Sequence, residues 1–170
     1  LSLKETATSL KASLSHAQLL VESALDAVIG MDQSGCVTTW NCTAESIFGY
    51  PAEQALGHDL AELIIPPALR ERHRAGLARF IATGQRQAIG KRLELSALRG
   101  DGTEFPVEIS LSPIETEAGT LVMSAIRDIG DRKKAEQKFR GLLESAPDAI
   151  IIVDQAGEVV IANSQAESVF

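Results

Sequence analysis

Apolar residues at the start of the chain recur every three or four positions, which is the spacing of one face of a helix. This seam is formed by Leu3, Ala7, Leu10, Leu14, Ala17, Val21 and Ala24, in a segment without Gly or Pro. The heptad rhythm predicts either a coiled-coil linker helix or a short amphipathic helix that packs on its own domain. The pattern alone leaves both interpretations open.

From residue 26 the pattern changes to short strands, turns and short helices. Residues 26–31 and 36–40 are predicted to be strands, joined by a turn in which Gly35 supplies a positive φ. Capping residues then predict three short helices before residue 66. The residues that mark them are Asn41, Thr43 and Asp59 as caps, and Pro51 in a first turn. A longer helix is predicted from about 68 to 83, ending at Gly84.

Three further strands are predicted between residues 93 and 128. Apolar residues alternate with mostly polar ones at Leu93 and Leu95, and again at Val107, Ile109 and Leu111. A turn at 117–119 leads into the last strand. The pattern therefore predicts an α+β domain, in which one five-stranded antiparallel sheet carries helices on one face.

The end of the chain repeats its beginning. Residues 142–170 match residues 20–48 without a gap, at a constant offset of 122. An offset this long indicates tandem domains rather than a solenoid. Between the copies, a charged helix is predicted with Ala135, Phe139 and Leu142 as an apolar stripe. We therefore divide the chain into a linker helix (1–19), a complete domain (20–130), a connecting helix (131–145) and the first part of a second domain (146–170).

Composition and charge narrow the possible functions. The formal net charge is −7 and no basic block is present, which argues against a nucleic-acid surface. No apolar run approaches the length of a membrane span, so we expect no membrane segment here. Cys36 and Cys42 show neither metal-ligand nor disulfide spacing, which is typical of a reducing compartment, and we expect a cytoplasmic location.

No catalytic motif stands out in the chain. It contains no nucleophile elbow, HExxH motif or P-loop, and none of the sequence boxes of a kinase. Its carboxylates are spread over predicted strand edges and linker helices rather than paired as an acid and a base. We therefore expect this segment not to be an enzyme.

Three stretches, read in order, identify a family resemblance. They are DAVIGMDQSGCVTTWNCTAESIFGY, RGDGTEFPVEISLSPI and SAIRDIGDRKKAE. With these stretches the chain resembles bacterial PAS domains that carry a C-terminal PAC motif. The resemblance covers residues 19–132 and resumes at residue 139. The resemblance implies the PAS fold, with strand order 2-1-5-4-3 and a pocket between sheet and helices. It also implies sensing of a small ligand, homodimerisation through linker helices and sheet, and relay to an output domain. That domain would be a histidine kinase or a diguanylate cyclase of the parent protein.

The same resemblance suggests site residues. We assign the pocket to His73, Arg79, Leu93, Ile109, Leu111 and Ser124. We assign signal relay to Asp128, Ile129 and Gly130, where the last strand meets the exit helix. On the residues alone, Asp128 is equally a plain cap at a strand end.

The long helix raises the question of haem. PPALRERHRAGLARFIATG is similar to the long helix of FixL-like haem PAS domains, whose iron-ligating histidine matches His73 and whose propionate-pairing arginine matches Arg79. The arginine that holds oxygen in those sensors aligns with Leu93. We expect no cofactor, with haem b on His73 as the alternative. If no haem binds, His73 is a core histidine hydrogen-bonded to backbone.

Overall fold

The computed structural model describes residues 3–84 and 89–169, without the side chains of residues 3–8. Leu3 and Ala7, the first two side chains of the predicted seam, therefore lie outside the described part, as does Phe170. The chain divides into two compact units, Leu1–Asp128 (unit 1) and Ile129–Phe170 (unit 2). No helix among the described residues is both long and apolar enough to cross a membrane.

Unit 1 contains one sheet and five α-helices among its described residues. In chain order the elements are α1 (Leu3–Glu22), β1 (Ala27–Met31), β2 (Val37–Trp40), α2 (Cys42–Phe48), α3 (Ala52–Ala55), α4 (Leu60–Ile64), α5 (Arg70–Thr83), β3 (Arg92–Leu98), β4 (Glu104–Thr116) and β5 (Gly119–Asp128). The sheet order is β2-β1-β5-β4-β3, with every pair antiparallel. The predicted fold class and strand order are confirmed.

Local chemistry explains where the short elements begin and end. The side chain of Asn41 accepts a hydrogen bond from the Ala44 amide at the start of α2, and that of Asp59 accepts one from Ala61 at the start of α4. These bonds satisfy amides that the first helical turn leaves without partners. Gly35 adopts a φ of 87° in the turn between β1 and β2, as predicted.

The core lies between the sheet and the short helices. Phe48 of α2 is fully buried, and its ring lies 5.6 Å from that of Trp40 and 5.7 Å from that of Phe105. Ile29 and Val107 are also buried, on the central strands. Truncating Phe48 to alanine would cost about 3–5 kcal/mol, because the surrounding side chains only partly fill the cavity.

Unit 2 contains a helix and a hairpin. Its elements are α6 (Gly130–Glu144), β6 (Ile151–Val153), β7 (Val159–Ala162) and α7 (Ser164–Val169), with β6 and β7 paired antiparallel. The helix α6 covers most of the predicted connecting helix. The hairpin and α7 occupy the positions that the internal repeat predicts for a second copy of β1, β2 and α2.

Candidate functional site

Four of the six predicted pocket residues lie together on one face of the sheet. Leu93 pairs with Ile109 across β3 and β4, and Leu111 pairs with Ser124 across β4 and β5. Ser124 also pairs with Ile29, whose carbonyl accepts a 3.0 Å hydrogen bond from the Ser124 hydroxyl. Because alternate residues of a strand share a face, these side chains form two adjacent rows. Ile109 and Leu111 pack against the core, so this face looks towards the helices.

His73 lies on α5, half-buried, and its Nδ1 atom is buried without a hydrogen-bond partner among the described residues. The backbone bond expected of a core histidine is therefore not made by Nδ1. Burial lowers the pKa of His73, with a smaller opposing effect from the Asp59 carboxylate and a further lowering by Arg74. The imidazole is thus held neutral near pH 7, which is the form that binds metals.

The neighbours of His73 on α5 divide between the core and the surface. Leu77 and Phe80 pack against the core cluster, and Leu77 would lie 3.5 Å from a Cβ added at Gly35. Arg79 is exposed, and a Cβ added at Gly76 would meet nothing within 4 Å. The apolar residues of α5 therefore face the core, whereas Arg79 lies away from it.

A group of ion pairs that the sequence did not suggest connects α4 to α5. Arg74 lies 2.7 Å from the Asp59 carboxylate and 2.6 Å from that of Glu62, and Arg70 also pairs with Glu62. Burial raises the pKa of Asp59, but hydrogen bonds from Arg74 and the Ala61 amide outweigh it and hold the pKa below its usual value. These bonds hold α5, the helix that carries His73, against α4.

A second arginine lies at the end of the last strand. Arg99 donates a 2.5 Å hydrogen bond to the Asp128 carboxylate and another to the Ile47 carbonyl of α2. Its guanidinium also lies 3.6 Å from the ring centroid of Phe105, a cation–π distance. Asp128, a predicted relay residue, is therefore tied through one side chain to a helix and to the aromatic core. The other two relay residues, Ile129 and Gly130, are buried and half-buried.

Among the residues that the structure describes, the sheet borders at least two cavities. One of about 400 Å³ opens beside Leu95 of the edge strand β3 and Phe105 of its neighbour β4. Another, of about 70 Å³, is lined by residues that include the charged Arg92, Glu108 and Arg127. His73 lines neither of them. The residues thus fit haem only in part. A neutral imidazole whose buried Nδ1 has no partner among the described residues is present, but Leu77 and Phe80 of the same helix pack against the core cluster.

Other metal chemistry finds no support in the part of the chain that the structure describes. No group of three or more His, Cys, Asp or Glu side chains there is arranged to hold a metal ion. Cys36 is half-buried and Cys42 is exposed, and both are free thiols.

Comparison with protein families gives two matches along the chain. A family model described as the PAS fold matches residues 15–129. Another, described as a PAS domain, matches residues 137–170. The two matches correspond to the two copies of the internal repeat.

Individual relatives agree with these matches. An uncharacterised protein of Azorhizobium caulinodans is 36% identical over 66% of this chain, and the sensor protein FixL of Bradyrhizobium diazoefficiens is 23% identical over 82%. The aligned part spans only 15% and 27% of those two proteins. The PAS domain of an HTR-like protein from Haloarcula marismortui has the same fold, with a TM-score of 0.59, 22% identity, and coverage of 74% of this chain and 99% of that one. This chain therefore belongs to the PAS family, and its first domain is a sensory module similar to those of sensor proteins.

Proposed function

We propose that this segment is the sensory and dimerisation module of a larger signalling protein, and that it passes a signal from unit 1 along its linker helices. The output domain would be a histidine kinase or a diguanylate cyclase, and the signal a small ligand on the helix-facing side of the sheet. FixL and the oxygen sensor protein DosP of Escherichia coli, which is 22% identical over 85% of this chain and aligns over 18% of its own length, support a sensory role.

The observation that carries the dimer is the exposure of the seam on α1. Leu10 and Leu14 remain 61% and 58% exposed, and every described side chain from residue 9 to residue 20 is exposed. An isolated helix of this length is marginally stable in water. Exposing its apolar stripe to water adds a further unfavourable free energy. A parallel helix from a second copy would cover that stripe, because both seams would then face each other in register.

The contacts of Arg99 support the relay. Its bonds to Asp128 and to α2 join the end of β5 to elements that surround the core. The chain runs from Asp128 through Ile129 directly into α6. A ligand that changes the packing of the core would therefore alter the contacts of Asp128, the last residue of β5, two residues before α6 begins.

Light scattering on the 170-residue chain tests the proposed dimer. We expect a dimer at micromolar concentration and a monomer for the double variant Leu10→Glu with Leu14→Glu. The matched control, Ser9→Glu with Ser13→Glu, adds the same charge on exposed positions off the seam and should remain dimeric. A monomeric wild type at high micromolar concentration would contradict the proposal.

A second candidate function is a haem-based sensor, favoured by the unpartnered buried Nδ1 of His73. In that case His73 would ligate the iron, and haem would supply gas or redox sensing. Leu93 lies on the sheet where the related sensors have arginine, so an oxygen contact from that position is not expected. Reconstituted protein should then show a Soret band that His73→Ala abolishes and that Arg79→Ala leaves in place. If no band forms, or His73→Ala leaves it unchanged, this candidate is wrong.

A further inference from the structure

The end of α1 is attached to unit 1 by a fully buried asparagine. Asn41 is 0% exposed, and its Oδ1 accepts 2.9 Å hydrogen bonds from the amides of Val28 and Ala44. Its Nδ2 donates to the carbonyls of Val21, at 2.9 Å, and Asp26, at 3.2 Å. The amide thus uses two acceptor and two donor positions. One donor bond reaches back to the last turn of α1.

Unit 2 repeats this arrangement atom for atom. Asn163 is also 0% exposed and accepts hydrogen bonds from the amides of Ile150, at 2.8 Å, and Ala166, at 3.0 Å. It donates to the carbonyls of Leu143, at 3.0 Å, and Asp148, at 2.9 Å. Every partner is displaced by the repeat offset of 122, and the chain contains no other asparagine.

A glutamate at the end of each helix accepts a second hydrogen bond from the segment that follows the hairpin. Glu22 is the last residue of α1, and its carboxylate accepts a 2.9 Å bond from the Cys42 amide at the start of α2. Glu144 is the last residue of α6, and its carboxylate accepts a 2.9 Å bond from the Ser164 amide at the start of α7. Each linker helix is therefore held at two points. One of its backbone carbonyls accepts a bond from the asparagine, and the carboxylate of its last residue accepts a bond from a backbone amide.

These bonds go beyond what helix capping requires. The last carbonyls of a helix have no partner within the helix, and water could bind them at an exposed end. Here one of them in each helix, the Val21 or the Leu143 carbonyl, accepts a bond from an asparagine amide that is itself fully buried. Leaving that buried amide unpaired would cost about 1–3 kcal/mol. A rotation of the linker helix must therefore either move the hairpin or break bonds at both points.

We propose that Asn41 with Glu22, and Asn163 with Glu144, form a two-point joint that fixes each linker helix to the hairpin it enters, so that movement of the helix is transmitted to the sheet. The inference rests on the proposed relay function, for which it names positioning residues. Because the joint lies within one unit, it does not depend on whether two chains associate.

Selective labelling gives a direct test, because only two asparagines are present. In the 170-residue chain labelled with ¹⁵N-asparagine, both side-chain NH₂ groups should exchange with water slowly. Glu22→Ala should speed exchange at Asn41 roughly two- to tenfold, the range expected for losing one hydrogen bond, and leave Asn163 unchanged. Glu144→Ala should do the reverse. The conservative variants Glu22→Gln and Glu144→Gln keep an acceptor and should restore slow exchange.

A distance measurement tests the transmission itself. Spin labels are placed at His16→Cys on α1 and Ser46→Cys on α2, in a Cys36→Ser, Cys42→Ser background. Labelled chains diluted in unlabelled protein report the distance within one copy, and its distribution should be narrow. Asn41→Asp keeps both acceptor bonds but turns an oxygen towards the helix carbonyls, so the distribution should broaden. Glu22→Ala, at an exposed position, provides the same test if Asn41→Asp fails to fold. Unchanged asparagine exchange in both alanine variants, or an unbroadened distance in Glu22→Ala, would overturn the joint. Neither measurement depends on the dimer.

Discussion

The two hairpins of this chain have nearly the same local structure but very different burial. In both, an aspartate carboxylate in the turn binds the following amides: Asp32 binds Ser34 and Cys36, and Asp154 binds Ala156 and Glu158. Both also carry an irregularity at the same place in their first strand. Yet Ile29 is 1% exposed in unit 1, whereas its counterpart Ile151 is 43% exposed in unit 2.

The difference shows which part of the structure is local. The turn, the bulge and the asparagine joint form from a segment of about thirty residues, because all of their bonds lie within the repeat. Burial in unit 1 comes from β5, which pairs with β1, and from α3 and α4, and the counterparts of these three elements are not among the described residues of unit 2. Exposed strands of this kind present unpaired backbone groups and apolar side chains to any neighbour.

The largest expected effect separates the two hairpins directly. Ile29→Ala should lower the free energy of unfolding of unit 1 by about 2–5 kcal/mol, because the lost side chain leaves a cavity in a closed core. The matched variant Ile151→Ala should change it by less than about 0.5 kcal/mol. Trp40, the only tryptophan, lies in unit 1 and reports its unfolding in denaturant by fluorescence. Equal shifts of the transition in both variants would contradict the comparison.

A smaller loss of stability is expected where β5 pairs with β1. A Cβ added at Gly30 would lie 2.7 Å from the Met123 sulfur and 2.9 Å from the hydroxyl oxygens of Thr38 and Thr39. Gly30→Ala should therefore destabilise unit 1 by about 1–3 kcal/mol, reduced to the extent that the flexible Met123 can move. Unit 2 has Ile152 at the corresponding repeat position. Ile152→Ala should leave the unfolding midpoint of unit 1, followed by Trp40 fluorescence, unchanged. If Gly30→Ala leaves that midpoint unchanged, the inference that β1 and β5 leave no room for a side chain at residue 30 is wrong.

The smallest expected effect is on pH dependence, and it should be confined to unit 1, which contains all three histidines. Burial lowers the pKa of His73 in the folded state. The stability gained from its neutral form is then present above the unfolded value of about 6.5 and is lost as pH falls towards the folded pKa. Between pH 7.5 and 5.5, the wild type should lose stability relative to His73→Gln. Parallel pH profiles for the two proteins would contradict a buried neutral His73.

Sequence patterns predicted most of the structural features that depend on contacts between residues close together in the chain. The caps at Asn41 and Asp59 and the glycine turn at Gly35 follow from bonds within a few residues. The end of the long helix at Gly84 was likewise predicted, and the structure ends α5 at Thr83 with Gly84 as its cap. The strand order came from the family resemblance instead, because alternation predicts strands without saying which of them pair.

Contacts between distant residues were missed because no spacing rule describes them. Arg74 and Asp59 are 15 residues apart, and Arg99 and Asp128 are 29 apart. Asn41 was predicted as a cap for α2, but its donor bond to Val21 joins residues 20 apart. The internal repeat carried a signal for that bond, since both of the chain's asparagines recur at the same repeat position with a glutamate nineteen residues before each.

A direct test of the proposed dimer asks whether a parallel pair of α1 helices joins two copies of this sensory module. In a Cys36→Ser, Cys42→Ser background, Leu10→Cys and Ala17→Cys should each form a disulfide with the same residue of a second copy. A disulfide needs Cα atoms within about 7 Å, and only a parallel pair brings both positions that close to themselves. Ser13→Cys, off the seam, should remain reduced under the same oxidising conditions. We expect crosslinking at both seam positions and not at Ser13→Cys. No crosslinking at either seam position, or equal crosslinking at Ser13→Cys, would contradict a parallel α1 dimer.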